Sequence, residues 1–451
     1  MNLINRSTVE TEAQHRLYVK IASRLLPLLL VMYLVSYLDR INVGFAKLQM
    51  AGSIGLSDAQ YGLGAGIFFI SYCICEIPSN LALHKVGARI WIARIMIVWG
   101  IATMLTLLVV GPKSFYLARV LLGIAEAGFY PGIILYLTIW FPSKVRAQAM
   151  GLFFAGSSLA GVIGGPISGG IMSSMNGVWG FEGWQWLFAL EGLPATLLGI
   201  ACLKFLPNGP ETAAWMSAED RELHTKDQQV DRQKTHTVPG QAHRISLVFY
   251  NKNIWLLVIV NFSTLATCYA VAFWLPQMVK SFAFTKNLFL IGVITAVPPL
   301  LACITTLSVG RICDRTGARR KPLMYGMGVS CIGALVAASC MSYPVVAFVG
   351  LTLALVGAVA CGPTLWSLPG TFLSGSAAAA GIALMTTVGN LAGYVSPYVI
   401  GLIRQATGSV AYGFVFLAAL AFAGLIAVML APVTRNPSRS ATPATGAAVA
   451  R

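Results

Sequence analysis

Four ionisable side chains stand inside long apolar stretches of this sequence. Asp39 and Arg40 are adjacent in the first stretch, and Arg119 and Glu126 lie seven residues apart in the fourth. A charged group at membrane depth is costly, so ionisable residues in such stretches indicate a functional site. Two acids and two bases together predict proton exchange beside a site for an anion. This combination is typical of a coupled carrier.

The composition predicts a chain that crosses a membrane many times. Hydrophobic residues make up 57% of the 451 residues, and charged residues make up only 10%. Soluble proteins carry about 25% charged residues. Apolar stretches long enough to cross a bilayer recur along the whole chain, and they predict an all-α integral membrane fold with twelve transmembrane helices. The predicted spans are 24–44, 60–83, 90–110, 114–137, 148–174, 185–206, 253–280, 288–310, 321–341, 344–370, 377–404 and 409–431.

The net charge of +16 indicates membrane topology and not nucleic-acid binding. With twelve spans and both termini in the cytoplasm, the cytoplasmic segments hold 24 of the 31 Lys and Arg residues, and the outer loops hold five. This asymmetry follows the positive-inside rule. The lipid bilayer is therefore the predicted partner of the basic surface, and no nucleic-acid partner is predicted.

The chain divides into two related halves around a charged linker. Gly87-Ala88-Arg89 after the second span recurs as Gly317-Ala318-Arg319 after the eighth, at an offset of 230 residues. Secondary transporters are often built from two such repeats, with the substrate site between them near the midplane. The predicted parts are an N-terminal cytoplasmic tail at 1–23, a six-helix half at 24–206, a cytoplasmic linker at 207–252, a second six-helix half at 253–431 and a disordered C-terminal tail at 432–451.

A short motif follows the eighth span. The residues that carry the motif spacing are Gly310, Asp314, Arg315, Gly317 and Arg319. This stretch resembles the cytoplasmic loop motif of the major facilitator superfamily. Glycines permit a tight turn, and the aspartate can cap a helix start or pair with a neighbouring arginine. Together with the twelve spans, this resemblance covers about residues 20–432 and implies the major facilitator fold.

Five further stretches narrow the resemblance. Together they are similar to the anion:cation symporter family, bacterial carriers of sugar acids, tartrate and aromatic carboxylates. Within that family, the amino-acid sequence of spans two to six is most similar to tartrate transporters and 4-hydroxyphenylacetate permeases. The resemblance implies a multi-pass protein of the bacterial inner membrane with both termini in the cytoplasm, and we expect a monomer. The five stretches are Tyr37–Asn42, Tyr72–Asn80, Arg119–Pro131, Gly183–Gly192 and Gly389–Gly393.

The resemblance assigns roles to the ionisable residues in the spans. It implies that Asp39 and Glu126 couple transport to protons, with Arg119 as a partner to these acids. It also implies that Arg40 binds the substrate anion. Burial disfavours the charged form of a carboxyl group, and a nearby arginine favours it again, so protonation can depend on the transport state. The structural alternative is a static ion pair that locks the bundle.

Polar and aromatic side chains in the spans suit a carboxylate ligand, because Tyr and Asn can donate hydrogen bonds and Trp can close one side of a cavity. The resemblance implies that four of them face the substrate: Tyr37, Tyr72, Trp366 and Asn390. Further candidates are Tyr269, Trp274 and Gln277.

Glu76 and Glu191 are two further acids in predicted spans. We expect each to have a structural or gating role and to pair with a basic loop residue. Both are therefore left outside the predicted substrate site.

Three classes of function follow from these observations. The leading hypothesis is a proton-coupled importer of a small organic anion, a tartrate-like hydroxy acid or a sugar acid, that works by alternating access. One alternative is a symporter of an aromatic carboxylate such as 4-hydroxyphenylacetate or phthalate. The other is a proton antiporter of the same fold, because the glycine–proline spacing around Gly165-Pro166 in the fifth span resembles that of drug antiporters. A membrane enzyme or sensor is disfavoured, because all five histidines fall in tails or loops and no nucleophile–base arrangement occurs. No cofactor or metal is predicted.

Overall fold

The computed structural model describes residues 11–236, 246–369 and 375–431, together with Ile4 and Arg6. The predicted C-terminal tail at 432–451 lies outside the described residues. Regular structure within the described ranges is helical, which confirms the predicted all-α class. The helices of the N-terminal half are α1 (Glu12–Ser53), α2 (Asp58–Val86), α3 (Ala88–Leu105), α4 (Pro112–Glu126), α5 (Phe129–Trp140), α6 (Ser143–Ser174) and α7 (Gly183–Phe205).

The linker region and the C-terminal half continue this helical pattern. Eleven helical segments of the described part are long and apolar enough to cross a membrane, and one of them, Pro112–Trp140, comprises α4 and α5. The predicted span at 377–404 is covered by a helix that is not among these eleven. The remaining helices are α8 (Ala218–His236), α9 (Ser246–Tyr250), α10 (Lys252–Ser281), α11 (Leu288–Thr316), α12 (Arg320–Ser339), α13 (Pro344–Ala360), α14 (Gly362–Leu365), α15 (Gly375–Thr407) and α16 (Ala411–Leu430).

The fourth predicted span is broken in its middle. The sequence predicted one span at 114–137, but α4 ends at Glu126 and α5 begins at Phe129. Gly128 in the break has a φ of +87°, a left-handed conformation that glycine adopts without steric cost. A Cβ atom at this position would also collide with the side chain of Ser79. The break therefore places Glu126 at a helix end inside the bundle, and transporters often build binding sites from such discontinuous helices.

Close packing of α6 against α11 joins the two halves. A Cβ atom at Gly165 would collide with the carbonyl oxygen of Gly292, and one at Gly169 would collide with the carbonyl oxygen of Leu288. Small residues at this spacing let two helix backbones approach each other. The contact lets the halves meet without large side chains between them.

The predicted loop motif forms the end of α11 and the turn to α12. Gly317 has a φ of +65°, and its N–H donates to the carbonyl of Cys313 at 2.8 Å. Arg319 Nη1 donates to the carbonyl of Ser367 at 3.4 Å. Asp314 lies in the last turn of α11, and its side chain lies outside the described part. The other motif residues, Gly310 and Arg315, also lie in α11.

The linker contains a helix that packs under the N-terminal half, which the sequence did not predict. On α8, Asp220 accepts a hydrogen bond from Lys20 Nζ of α1 at 2.7 Å. His224 of α8 is buried, and its Nε2 lies 3.2 Å from the carbonyl oxygen of Trp140. Burial lowers the pKa of the His224 imidazole because the charged form loses its hydration. This helix marks the end of the bundle at which α1 begins.

Candidate functional site

A cavity of about 400 Å³ lies between the two halves. Its walls come from α1, α2, α5 and α6 on one side and from α10, α11, α13 and α15 on the other. The structure brings all five predicted substrate-binding residues to this cavity, although their role in binding stays a prediction. These residues are Tyr37, Arg40, Tyr72, Trp366 and Asn390.

Tyrosines and a single charge give the cavity its chemical character. Among the described residues that line it, Arg40 is the one charged side chain. A single cation suits a ligand that carries a carboxylate, and phenol hydroxyls can donate hydrogen bonds to its oxygens. The lining tyrosines are Tyr33, Tyr37, Tyr72, Tyr130 and Tyr269.

Arg40 is held in place by Glu126. The Nη2 and Nε atoms of Arg40 lie 2.5 Å and 2.7 Å from Glu126 Oε1, and Ser36 Oγ donates to the same oxygen at 3.0 Å. The Arg40 guanidinium also lies 5.0 Å from the centre of the Tyr72 ring. The side chain of Glu126 is 1% exposed and that of Arg40 is 12% exposed. The arginine therefore faces the cavity, while the glutamate neutralises it from behind.

Asp39 is buried away from the cavity wall. Its carboxyl group accepts hydrogen bonds from Trp99 Nε1 and Thr103 Oγ1 of α3, and from Asn42 Nδ2 at 2.9 Å. No ion pair of Asp39 is present among the described residues. These three donors satisfy the carboxyl oxygens without a cation.

Arg119 is enclosed in the N-terminal half but does not pair directly with either acid. Its side chain is 1% exposed, its Nε donates to the carbonyl of Gly64 at 3.4 Å, and its Cζ lies 4.9 Å from the centre of the Phe68 ring. Both Nη atoms lack a hydrogen-bond partner within the described ranges. Arg40 takes the place beside Glu126 that the sequence suggested for Arg119. The predicted partnership of Arg119 with the acids is therefore not a direct ion pair in this conformation.

Sequence reasoning missed several groups that surround the two acids. Ser36 lies four residues before Arg40 and Asn42 lies three residues after Asp39, so the spacing of three or four residues on one helix face could have indicated them. No such signal exists for Trp99 and Thr103, because only the packing of α3 against α1 brings them to Asp39. Among the further candidates, Tyr269 lines the cavity, while Trp274 and Gln277 do not.

A charge cluster joins the two halves at the end of the bundle opposite to α8. Asp58 Oδ1 lies 2.8 Å from Lys47 Nζ of α1, and Asp58 Oδ2 lies 3.3 Å from Arg404 Nε of α15. Lys47 Nζ lies 3.6 Å from the centre of the Trp274 ring of α10. We call these four residues the inter-half cluster. It links α1 and α2 to α10 and α15, and so it holds the halves together at this end.

Comparison with known proteins agrees with this architecture. The profile of the Major Facilitator Superfamily matches residues 29–397. A protein of Agrobacterium vitis whose name describes a tartrate transporter is 42% identical over 422 residues, which are 94% of this chain and 92% of the relative. A Pseudomonas putida protein named as the metabolite transport protein NicT is 44% identical over 418 residues, 91% of this chain and 93% of the relative. A quinolone resistance transporter of Acinetobacter baumannii is 39% identical over 409 residues, 89% of this chain and 92% of the relative.

Solved structures show the same fold. A D-xylose-proton symporter aligns with a TM-score of 0.70 at 16% identity, over 91% of this chain and 96% of that chain. The predicted fold and the predicted resemblance to tartrate transporters are confirmed. The family profile covers most of the chain, and the relatives named as transporters match over almost their whole length. The chain therefore belongs to the Major Facilitator Superfamily and is a multi-pass membrane transporter, not an enzyme.

Proposed function

We propose that this chain is a proton-coupled importer of a small organic anion, a tartrate-like hydroxy acid or a sugar acid, which works by alternating access. The observation that carries this proposal is the ion pair between Arg40, which faces the cavity, and Glu126 behind it. The similarity to tartrate transporters supports the hydroxy acid as the substrate class.

The ion pair gives a direct way to couple an anion to a proton. When Glu126 binds a proton, it loses its charge, and Arg40 can form two charge-assisted hydrogen bonds to a substrate carboxylate. When Glu126 loses the proton, its carboxylate competes with the substrate for the same guanidinium. A buried arginine without a counter-ion is strongly disfavoured. Proton and anion therefore bind together and leave together.

The inter-half cluster supports alternating access with a defined orientation. The positive-inside distribution of Lys and Arg supports a cytoplasmic location for α8 and both termini. In that orientation Asp58 and Arg404 lie on the outer side of a bacterial inner membrane. The cluster then closes the outer end in this conformation. Rocking of the predicted halves at 24–206 and 253–431 would separate Asp58 from Arg404 and open that end.

Two alternatives each rest on a specific observation. Five tyrosines line the cavity, and their rings would also accommodate an aromatic carboxylate such as 4-hydroxyphenylacetate or phthalate. The similarity to a quinolone resistance transporter supports a proton antiporter of the same fold. In an antiporter, a proton would replace the substrate at the site and would not accompany it.

Uptake by reconstituted liposomes separates these functions. An inward proton gradient is imposed, and labelled tartrate, galactonate, 4-hydroxyphenylacetate, phthalate and a quinolone are offered in turn. Accumulation of tartrate or galactonate that a protonophore abolishes is the expected result. Accumulation of only an aromatic acid would establish the first alternative. Proton-driven export of the quinolone from preloaded liposomes, without accumulation of any acid, would overturn the importer.

A further inference from the structure

Glu191 is a third acid inside the N-terminal half, and the anion site does not use it. It lies on α7 and is 6% exposed. Ser168 Oγ of α6 donates to its Oε1 at 2.8 Å, while its Oε2 has no hydrogen-bond partner within the described ranges. The sequence predicted that Glu191 pairs with a basic loop residue. The described part of the chain contains no ion pair of this side chain, so its surroundings differ from that expectation.

Glu191 shares its surroundings with Asp39. The side chain of Asn42 lies next to the Glu191 carboxyl group, and Asp39 is close enough to interact with it electrostatically. Asn42 Nδ2 donates to Asp39 Oδ1 at 2.9 Å. The asparagine thus stands between the two acids on one side of α1.

Two buried oxygen atoms indicate the protonation state of Glu191. Glu191 Oε2 and Asn42 Oδ1 are both buried without partners among the described residues. An ionised carboxylate and an amide oxygen are both acceptors and cannot bond to each other. A protonated Glu191 has an O–H group and can act as a donor in this site. An ionised carboxylate that is buried without a cation is disfavoured, so the protonated form fits this site.

Asp39 is the ionisable group with which Glu191 can exchange a proton. The helices packed against α7 near Glu191 are α1, α3 and α6. Lys144 lies in the first turn of α6, at the opposite end of the bundle. Several other charged side chains of these helices have partners elsewhere: Lys20 with Asp220, Arg40 with Glu126, Lys47 with Asp58, Arg89 with the Leu203 carbonyl, Arg94 with the Trp91 ring and Arg146 with Asp231.

Glu191 lies between Asp39 and the end of the bundle that carries the inter-half cluster. The N–H of Trp184, at the start of α7, donates to Gln49 Oε1 near the end of α1 at 3.0 Å, so these two helix ends are neighbours. Glu191 is about 12 Å along α7 from its start, and Asp39 is about 21 Å along α1 from its end. Neither acid lines the cavity. Proton exchange between these two acids would therefore not pass through the anion site.

We propose that Glu191 is a third proton-carrying carboxyl group, which passes protons between Asp39 and the end of the bundle where α7 begins. This inference rests on the proposed proton coupling and on the predicted role of Asp39 as a second proton-coupling acid. In the transfer, the O–H bond of Glu191 breaks and an O–H bond forms on the Asp39 carboxylate. Asn42 aligns the two carboxyl groups and stays an amide throughout. Glu191 then takes a new proton from solvent at the α7 end and returns to its starting state.

The first test compares two transport modes in liposomes. Glu191→Gln keeps the shape and can still donate a hydrogen bond, but it cannot carry a proton. We expect it to lower the initial rate of proton-driven substrate accumulation about tenfold or more, while substrate counterflow stays close to the wild-type rate. Ser168→Ala is the matched control, because it removes the hydrogen bond to Glu191 and keeps the acid. It should retain both modes.

Each outcome of this test is decisive. Wild-type accumulation by Glu191→Gln, or equal losses in accumulation and counterflow, would overturn the relay and leave the proposed function intact. A wild-type protein that does not respond to the proton gradient would remove the proposed function and the relay together.

The second test does not depend on transport. Infrared spectra of the purified protein should contain a C=O stretching band of a protonated, buried carboxyl group, and Glu191→Gln should lose it. Ser168→Ala should shift this band without removing it, because the hydrogen bond to Oε1 changes and the proton stays. Spectra in which Glu191→Gln loses no carboxyl band relative to the wild type would show that Glu191 is not protonated.

Discussion

Replacing Glu126 by glutamine is expected to make the affinity for the substrate anion independent of pH. In the wild-type protein, Arg40 is bound to the Glu126 carboxylate at 2.5 Å and 2.7 Å, so a substrate anion must displace this carboxylate or wait for its protonation. The glutamine has nearly the same shape and no charge. Arg40 would then be available to the substrate at every pH.

The size of the effect follows from the one carboxylate that faces Arg40. If each bound anion requires one proton on Glu126, the apparent Kd of the wild type rises about tenfold per pH unit, or about 1.4 kcal/mol, once Glu126 is mainly ionised. The sign is fixed, because the anion favours the protonated form and affinity must fall as pH rises. Across two pH units this amounts to about 100-fold. The Kd of Glu126→Gln should stay constant over the same range.

Ligand titration of purified protein in nanodiscs measures this directly. Isothermal calorimetry, or the fluorescence of Trp366 at the cavity wall, gives the Kd at a series of pH values. The carboxyl groups of tartrate stay ionised above about pH 5, because ordinary carboxyl pKa values lie near 4. Glu219→Gln, an exposed position on α8, is the control for the loss of one carboxylate. A wild-type Kd that is independent of pH, or an unchanged pH slope in Glu126→Gln, would refute the coupling through Arg40.

Three further predictions test other parts of the structure. Arg40→Ala should weaken anion binding by about 2–5 kcal/mol, or roughly 30-fold or more, and calorimetry with an unchanged Kd would exclude Arg40 from the site. Asp58→Asn breaks the inter-half cluster and should therefore open the outer end. Cys268, which lines the cavity, should then react faster with an impermeant maleimide added outside. Cys268→Ala controls for labelling of the other cysteines, and an unchanged labelling rate would contradict the proposed closure. Burial lowers the pKa of His224, so protonation of its imidazole favours release of α8. Proteolysis of α8 should therefore become faster as the pH falls from about 7.5 to about 5.5 in the wild type. The rate of proteolysis of His224→Gln should not change in this way.

The sequence predicted the membrane fold and the residues of the cavity well. Hydropathy alone finds most of the spans, because each must bury its backbone in an apolar medium. Asp39, Arg40 and Glu126 stand out in the sequence because ionisable residues at membrane depth are rare, and their functional roles stay predictions. The resemblance supplied Tyr37 and Asn390, which the structure brings to the cavity wall.

Features that depend on packing between helices could not be predicted. The spacing of Arg119 and Glu126 describes one helix, but it does not reveal that Arg40 of α1 occupies the place beside Glu126. The break after Glu126 depends on the backbone conformation of Gly128, which a hydropathy pattern does not record. The place of Glu191 beside Asp39 likewise follows only from the way α7 packs against α1.

The central claim, that an anion and a proton cross the membrane together, is tested most directly by measuring proton movement that the anion itself drives. Liposomes that contain the protein and a pH-sensitive dye start without a pH gradient, and tartrate is then added outside, with the membrane potential clamped by potassium and valinomycin. The account predicts that the lumen becomes acidic, and that Glu126→Gln liposomes show no such change. A lumen that becomes alkaline would demonstrate antiport, and uptake of labelled tartrate without a pH change would show that no proton accompanies it.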